Sequence, residues 1–102
     1  MAHVRIGIYK RLGDATEIMK RGREGLLPIY QKQHGFIDYE LVDAGDLVVS
    51  ISHWETADAA SDAADKAADW VRENIGEMAK LQQNVIGQVG MSSKGEPMAA
   101  AD

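Results

Sequence analysis

The chain has 102 residues, a mass of 11.1 kDa and a formal net charge of −5 at pH 7, which fits one domain. The absence of cysteine excludes disulfides and thiolate zinc sites, and the acidic balance argues against a nucleic-acid partner. No apolar run approaches the about 20 residues of a membrane span, and the first residues do not resemble a signal peptide, so we expect a cytoplasmic protein that does not bind membranes.

The first part of the chain predicts a strand followed by a helix. Alternating apolar residues indicate a strand over residues 3–9. A helix should follow from about residue 15 to residue 33, because Asp14 can cap it and Glu17 occupies the capping-box position. Pro28 should kink this helix, since proline cannot donate a backbone hydrogen bond.

The second part of the chain predicts a hairpin, a helical region and a last strand. Strands over residues 36–42 and 47–54 flank a short polar turn, which is typical of a β-hairpin. Thr56 should cap a helical region that reaches about residue 81. Residues 83–89 should then form the fourth strand.

This order predicts an α+β, ferredoxin-like βαββαβ fold, in which the helices cover one face of an antiparallel sheet. The domain should occupy residues 1–90, and residues 91–102 should form a flexible tail. We expect the almost wholly apolar set of strand residues to face the helices. We expect the mixed set to face a second copy in a homodimer, because it carries apolar residues between polar ones. The apolar set is Val4, Ile6, Ile8, Ile37, Tyr39, Leu41, Leu47, Val49, Ile51, Val85 and Val89, and the mixed set includes Arg5, Tyr9, Phe36, Val42, Val48, Ser50, Ser52, Trp54, Asn84 and Ile86.

Small residues in both helical regions have two explanations. Seven alanines lie between residues 57 and 68, and Gly22 and Gly25 lie in the first predicted helix. Such residues either let a helix lie close to its neighbours or leave a cavity for an apolar, planar ligand. The sequence leaves both explanations open.

Three segments resemble the antibiotic biosynthesis monooxygenase (ABM)-like family. They are EGLLP at residues 24–28, HGFIDYE at 34–40 and VSISHWE at 49–55, and the similarity spans about residues 3–90. Members of this family are dimeric α+β barrels, so the resemblance implies two ferredoxin-like domains that pair through their sheets. The family includes cofactor-independent monooxygenases of aromatic polyketides and quinols, haem-degrading enzymes and proteins without an assigned activity.

The resemblance also suggests which residues form a site. Haem-degrading relatives place a histidine on the second helical region, but residues 56–81 contain none, so we expect neither haem nor another cofactor. The polyketide monooxygenases use a tryptophan and an asparagine on this region. Trp70 and Asn74 supply these residue types one helical turn apart, although Lys66 precedes Trp70 by a turn. Alternatively, Trp70 fills space left by the alanines and Asn74 lies at the surface.

His53 is the residue best suited to acid–base chemistry. Its parity in the strand places it with the apolar set, facing the helices, and Tyr39 on the neighbouring strand could donate a hydrogen bond to the same cleft. A histidine there could abstract a proton from a phenol or quinol, or it could be a hydrogen-bonded structural residue. The chain has no spacing typical of a metal site and no glycine-rich phosphate loop.

Two functions therefore remain open. The first is a small-molecule oxidoreductase that resembles the cofactor-independent ABM-type monooxygenases of aromatic or quinol-like substrates, with His53, Trp70, Asn74 and Tyr39 as candidate catalytic residues. The second is a non-enzymatic dimer that binds a small apolar or aromatic ligand or has a structural role. An open cleft that contains His53 would favour the first function, and a cleft blocked by Trp70 would favour the second.

Overall fold

The computed structural model describes residues 2–94. The elements are β1 (His3–Arg11), α1 (Ala15–Arg21), a π turn (Gly22–Leu26), α2 (Leu27–Gln31), β2 (Phe36–Ala44), β3 (Leu47–Trp54), α3 (Ala57–Asn74) and β4 (Ala79–Gln88). The strands form one antiparallel sheet in the order β2-β3-β1-β4, and the helices pack on one of its faces. The predicted ferredoxin-like α+β fold is confirmed.

The first helical region begins as predicted but is divided. The Asp14 carboxylate caps α1 by accepting a hydrogen bond of 2.9 Å from the backbone N–H of Glu17. The backbone N–H of Leu27 reaches back to the carbonyl of Gly22, five residues earlier, which defines the π turn. Pro28 then lies in the first turn of α2, where a missing N–H costs little. The helix was expected to be interrupted at Pro28. The interruption is instead the π turn, which ends two residues before this proline.

The second helical region ends earlier than predicted. Thr56 caps α3 as expected, accepting a hydrogen bond of 3.1 Å from the N–H of Ala59. The backbone leaves the helical conformation at Ile75, and residues 79–81 belong to β4. The apolar side chain of Ile75 stays buried, but it lies in the turn that returns the chain to the sheet. Apolar residues recur at helical spacing beyond Asn74, where the helix ends. The end of the helix was therefore predicted too late, near residue 81.

The faces of β1, β3 and β4 are reversed relative to the prediction, whereas Tyr39 and Leu41 of β2 face the helices as predicted. Arg5, Tyr9, Val48 and Trp54 face the helices and are at most 4% exposed, so the mixed set forms the core instead of an outward surface. A bulge in β2 between Phe36 and Asp38 shifts the alternation, so Phe36, Tyr39 and Leu41 all pack on the helical side. The opposite side, called the outer face below, carries Val4, Ile6, Ile8, Val42, Leu47, Val49, Ile51 and Val85.

The alanines of α3 explain this reversal. Ala59, Ala60, Ala63 and Ala67 are buried, and their small side chains leave room for large residues on the sheet. Aromatic rings fill that room in tilted and edge-to-face contacts, among them Tyr30 with Trp54 at 5.1 Å and Tyr30 with Tyr39 at 4.9 Å between ring centroids. The alanine run therefore serves close packing around an aromatic cluster.

Two features of the whole chain complete the fold. Within residues 2–94, no helix is both long enough and apolar enough to cross a lipid bilayer. The predicted tail lies, from residue 95 onward, outside the described residues. The division into a domain of residues 1–90 and a tail of residues 91–102 therefore stays a prediction.

Candidate functional site

A small cavity lies between the sheet and the helical layer. Its volume is about 20 Å³, which is room for roughly one water molecule. Its walls are largely apolar, and five of the seven elements around it contribute an aromatic or hydroxyl side chain or a glycine. The residues that matter below are Tyr9, Gly22, Tyr39, Ser50 and Trp70.

An open groove continues from this cavity toward solvent. Met19, Arg23 and Leu27 line it together with Tyr39 and Leu41, and its volume is about 190 Å³. Tyr39 and Leu41 also line the cavity, so the two spaces are neighbours. The π turn lies at their junction, and the groove offers a path from solvent toward the cavity wall.

Trp70 is the largest side chain in the cavity wall. It packs against both hydrophobic clusters of the core. Its indole lies against Gly25, where an added Cβ would come within 2.6 Å of the indole Nε1, and Leu41 approaches Gly22 equally closely. The two glycines of the first helical region therefore permit close contact. They do not provide empty space.

Arg5 is a buried polar residue that does not itself line the cavity but contacts Tyr9, which does. Its side chain is 0% exposed. Its Nε donates a hydrogen bond of 2.7 Å to Oδ1 of Asn84, and its Nη2 donates one of 3.2 Å to the hydroxyl of Tyr9. The third donor nitrogen, Nη1, has no hydrogen-bond partner. Within residues 2–94, no carboxylate forms an ion pair with this guanidinium.

Two buried hydroxyl groups near Arg5 form no well-aligned hydrogen bond, although they lie near each other. They belong to Tyr39 and Ser50, which both line the cavity. Burial raises the pKa of the Tyr39 hydroxyl well above its ordinary value. Burial also raises the pKa of Tyr30 to about 12, although the positive charge of Arg5 acts against that rise. Both phenols are therefore neutral at physiological pH and can act as hydrogen-bond donors.

The structure brings together only two of the four predicted site residues. Tyr39 and Trp70 both line the cavity. The side-chain amide of Asn74 donates a hydrogen bond of 2.9 Å to the backbone carbonyl of Trp70 and lies exposed at the end of α3. It is therefore directed at its own helix, away from the cavity.

The predicted orientation of His53 is wrong. His53 pairs in register with Val4 and lies on the outer side of the sheet, where its Nδ1 is 2.7 Å from Oδ1 of Asp38. Tyr39 faces the helices, so the two side chains lie on opposite faces. The error follows from the assumption that the apolar set faces the helices, and the bulge in β2 separated the pair further.

The buried Arg5 next to Tyr9 was not predicted from the sequence as a site residue. Arg5, Tyr9 and Ser50 were correctly grouped on one face, but that face was assigned to a dimer interface. The signal was present in β1, where an arginine is followed two residues later by Gly7. An added Cβ at Gly7 would lie 2.6 Å from Nη2 of Arg5, so this glycine makes room for the guanidinium to lie along the strand.

The protein therefore has a ferredoxin-like α+β fold with a small cavity between sheet and helices. No protein-family model matches the sequence, and no curated protein matches it.

Solved structures share the fold. SnoaB, a cofactor-independent oxygenase from Streptomyces nogalater, superposes with a TM-score of 0.69 at 15% identity, over 90% of this chain and 96% of SnoaB. The monooxygenase from the gene ActVA-Orf6 of Streptomyces coelicolor, solved with the ligand nanaomycin D, gives 0.66 at 20% identity, over 89% of this chain and 90% of that protein. MhuD, solved with two manganese protoporphyrin IX molecules per active site, superposes with a TM-score of 0.66 at 16% identity, over 91% of this chain and 99% of MhuD. The expected resemblance to the ABM-like family is confirmed at the level of the fold.

The residues of this chain do not fit a porphyrin held by a helix histidine. Helix α3 contains no histidine, and His53 lies on the other side of the sheet, paired with Asp38. In the part of the chain that the structure describes, no three histidine or carboxylate side chains form a group that could hold a metal ion.

Proposed function

We propose that this protein is a small-molecule oxidoreductase, a cofactor-independent monooxygenase of aromatic or quinol-like substrates, and that its site is the cavity between sheet and helices. One observation carries the proposal: aromatic walls meet two buried hydroxyl groups without a well-aligned hydrogen bond, those of Tyr39 and Ser50, in one space between sheet and helices. Small-molecule sites commonly combine apolar walls with a few directed polar groups. The fold shared with an oxygenase and a monooxygenase supports the same assignment.

The reaction needs little from the protein beyond binding and exclusion of water. A phenol and O₂ give a quinone and one water, so atoms and electrons balance without an external reductant. The electron-rich anion of the substrate reacts with O₂, and a dry pocket protects the intermediates. Tyr39 would donate a hydrogen bond to the substrate oxygen, and Trp70 would stack against its ring.

Substrate binding requires Trp70 to move. The cavity holds roughly one water molecule while the indole occupies its wall, and the neighbouring groove is the path along which a planar molecule would approach. This nearly filled cavity is also the observation that favours the alternative function, a non-enzymatic small-ligand-binding or structural dimer.

Oxygen uptake separates the two functions. Purified protein is mixed with a panel of naphthols and quinols, and O₂ consumption and quinone absorbance are recorded. The proposal predicts enzyme-dependent turnover that falls at least about 10²-fold in Tyr39→Phe and is unchanged in the matched variant Asn74→Ala, whose side chain lies outside the cavity. Binding of these compounds without any oxygen uptake would favour the non-enzymatic alternative.

We also propose that a second copy covers the outer face, which is opposite to the face expected from the sequence. This face presents aliphatic residues side by side across three strands, for example Ile6 next to Ile51 and Val85. Contiguous apolar surfaces of this kind mark protein interfaces. Sedimentation velocity at micromolar concentration should give about twice 11.1 kDa, and a single species at the monomer mass would contradict the proposal.

A further inference from the structure

We propose that Arg5 anchors a buried anion site, and that the aromatic ligand enters the cavity already ionised, as a phenolate or enolate. The inference rests on the proposed location of the ligand in this cavity, and it adds the charge of that ligand and the residue that holds it. It does not require that the bound molecule react.

The first step is the charge of Arg5. A guanidinium is always protonated at physiological pH, and this one is completely buried. Its hydrogen-bond acceptors are the Asn84 amide and the Tyr9 hydroxyl, and neither is a carboxylate. Buried charges are usually paired with an opposite charge because burial without one is costly. An anionic ligand would supply the opposite charge that residues 2–94 do not.

The second step is the direction of the free donors. The guanidinium lies over Gly7, and Gly7 pairs in register with Ser50 on β3. Tyr39 pairs with Ser52, two residues along the same strand, and faces the same side of the sheet. Three groups that form no well-aligned hydrogen bond share one region of the sheet: Nη1 of Arg5 and the hydroxyls of Ser50 and Tyr39. The two hydroxyls lie near each other, and the guanidinium lies near the hydroxyl of Tyr30. Together, Nη1 and the two hydroxyls could donate three hydrogen bonds to one oxygen anion.

The third step is the absence of a base. Among the described residues, only Tyr9 and Tyr39 are titratable side chains that line the cavity, and neither is a carboxylate or a histidine. Burial raises the pKa of the Tyr39 hydroxyl. His53, the base expected from the sequence, lies on the other side of the sheet. Since nothing in the cavity wall can take a proton from a ligand, the acidic proton must be lost before the ligand is enclosed.

The probe for this proposal is 4-nitrophenol, because its ionisation is visible and it does not react with O₂ under these conditions. Absorbance of the phenolate is titrated against pH with and without excess protein. In the wild type, the pKa of the bound probe should fall by about 1 or more, which means a preference for the phenolate of roughly tenfold or more. Nitrobenzene serves as the neutral control of similar shape.

Two variants make the result specific. Arg5→Met keeps the length of the side chain without its charge, and it should reverse the preference, so that the bound probe has a higher pKa than the free probe. Nitrobenzene affinity should change by less than about threefold in the same variant. Ser50→Ala removes one donor only, and it should weaken phenolate binding by about 3- to 10-fold, which keeps the proposal testable even if Arg5→Met does not fold.

The outcomes separate the anion site from the proposed reaction. A bound pKa equal to or above that of free 4-nitrophenol in the wild type would overturn the anion site, and so would an unchanged phenolate preference in either variant. A clear phenolate preference together with no oxygen uptake from any phenol would support the anion site and reject the monooxygenase.

Discussion

The two faces of the sheet bury their residues in different ways. The helix-facing side combines large aromatic residues with polar ones, such as Trp54 and Arg5, and fits them against the alanines of α3. The outer face is built from aliphatic residues of similar size, such as Ile6, Ile51 and Val85. Buried polar groups need hydrogen-bond partners at defined positions. An aliphatic surface only needs another apolar surface that excludes water from it. The first side is therefore suited to a small-molecule site and the second to association.

The largest effect should come from placing a charge on the outer face. Ile6→Asp would bury a carboxylate at the centre of the proposed dimer interface, and an unpaired buried charge costs several kcal/mol. We expect the dimer dissociation constant to rise at least about 100-fold. Sedimentation velocity measures it, with Leu12→Asp as the control, because Leu12 is 54% exposed and lies after β1. If Ile6→Asp dimerises like the wild type, the outer face is not the interface.

The helix-facing side should make stability fall at alkaline pH. Tyr30 has a raised pKa of about 12 in the folded protein, against 10.0 for the ordinary side chain, because it is buried. The folded state keeps its proton between these values while the unfolded state loses it. The resulting stabilisation is fully present below pH 10 and is lost as the pH rises toward 12, by roughly 3 kcal/mol.

Urea unfolding at pH 9 and pH 11, at one protein concentration, measures this loss. Tyr30→Phe should lose less stability between the two pH values than the wild type, because phenylalanine does not titrate. Burial also raises the pKa of Tyr39, which lowers stability at alkaline pH in the same way. Some pH dependence of stability should therefore persist in Tyr30→Phe. Equal losses in the wild type and in Tyr30→Phe would contradict the buried, neutral state of this phenol.

The smallest effect should come from His53. Its pair with Asp38 is partly exposed, with 34% and 51% of the two side chains accessible, and such pairs contribute about 0–1 kcal/mol. His53→Gln should therefore leave both the melting temperature and binding of 4-nitrophenol nearly unchanged, and Asp38→Asn should behave alike. A loss of turnover by more than about 10²-fold in a folded His53→Gln dimer would restore His53 as a catalytic base.

The element order could be predicted because its signals are local. Alternating apolar residues marked the strands, and Asp14 and Thr56 capped α1 and α3 as expected. The assignment of the faces could not be predicted in this way. Alternation divides a strand into two sets, but it does not say which set meets the helices, and here the more apolar set points away from them.

The candidate site was predicted only in part for a related reason. Trp70 was identified from the family resemblance and Tyr39 from its predicted position beside His53 on the neighbouring strand, and the two do meet at the cavity. Arg5 was missed as a site residue because a fully buried, unpaired arginine contradicts the ordinary preference of charged residues for solvent. His53 was misplaced because its position depended on the face assignment.

The central claim is that small aromatic molecules bind on the helix-facing side of the sheet, and nuclear magnetic resonance tests it most directly. Labelled protein is titrated with 4-nitrophenol while the indole N–H of Trp70 and the imidazole of His53 are followed. Trp70 lines the cavity and His53 lies on the opposite side. The account predicts a saturable shift of the Trp70 resonance and an unmoved His53. A saturable shift of His53 and of the backbone of Ile6 and Ile51, with Trp70 unmoved, would contradict it.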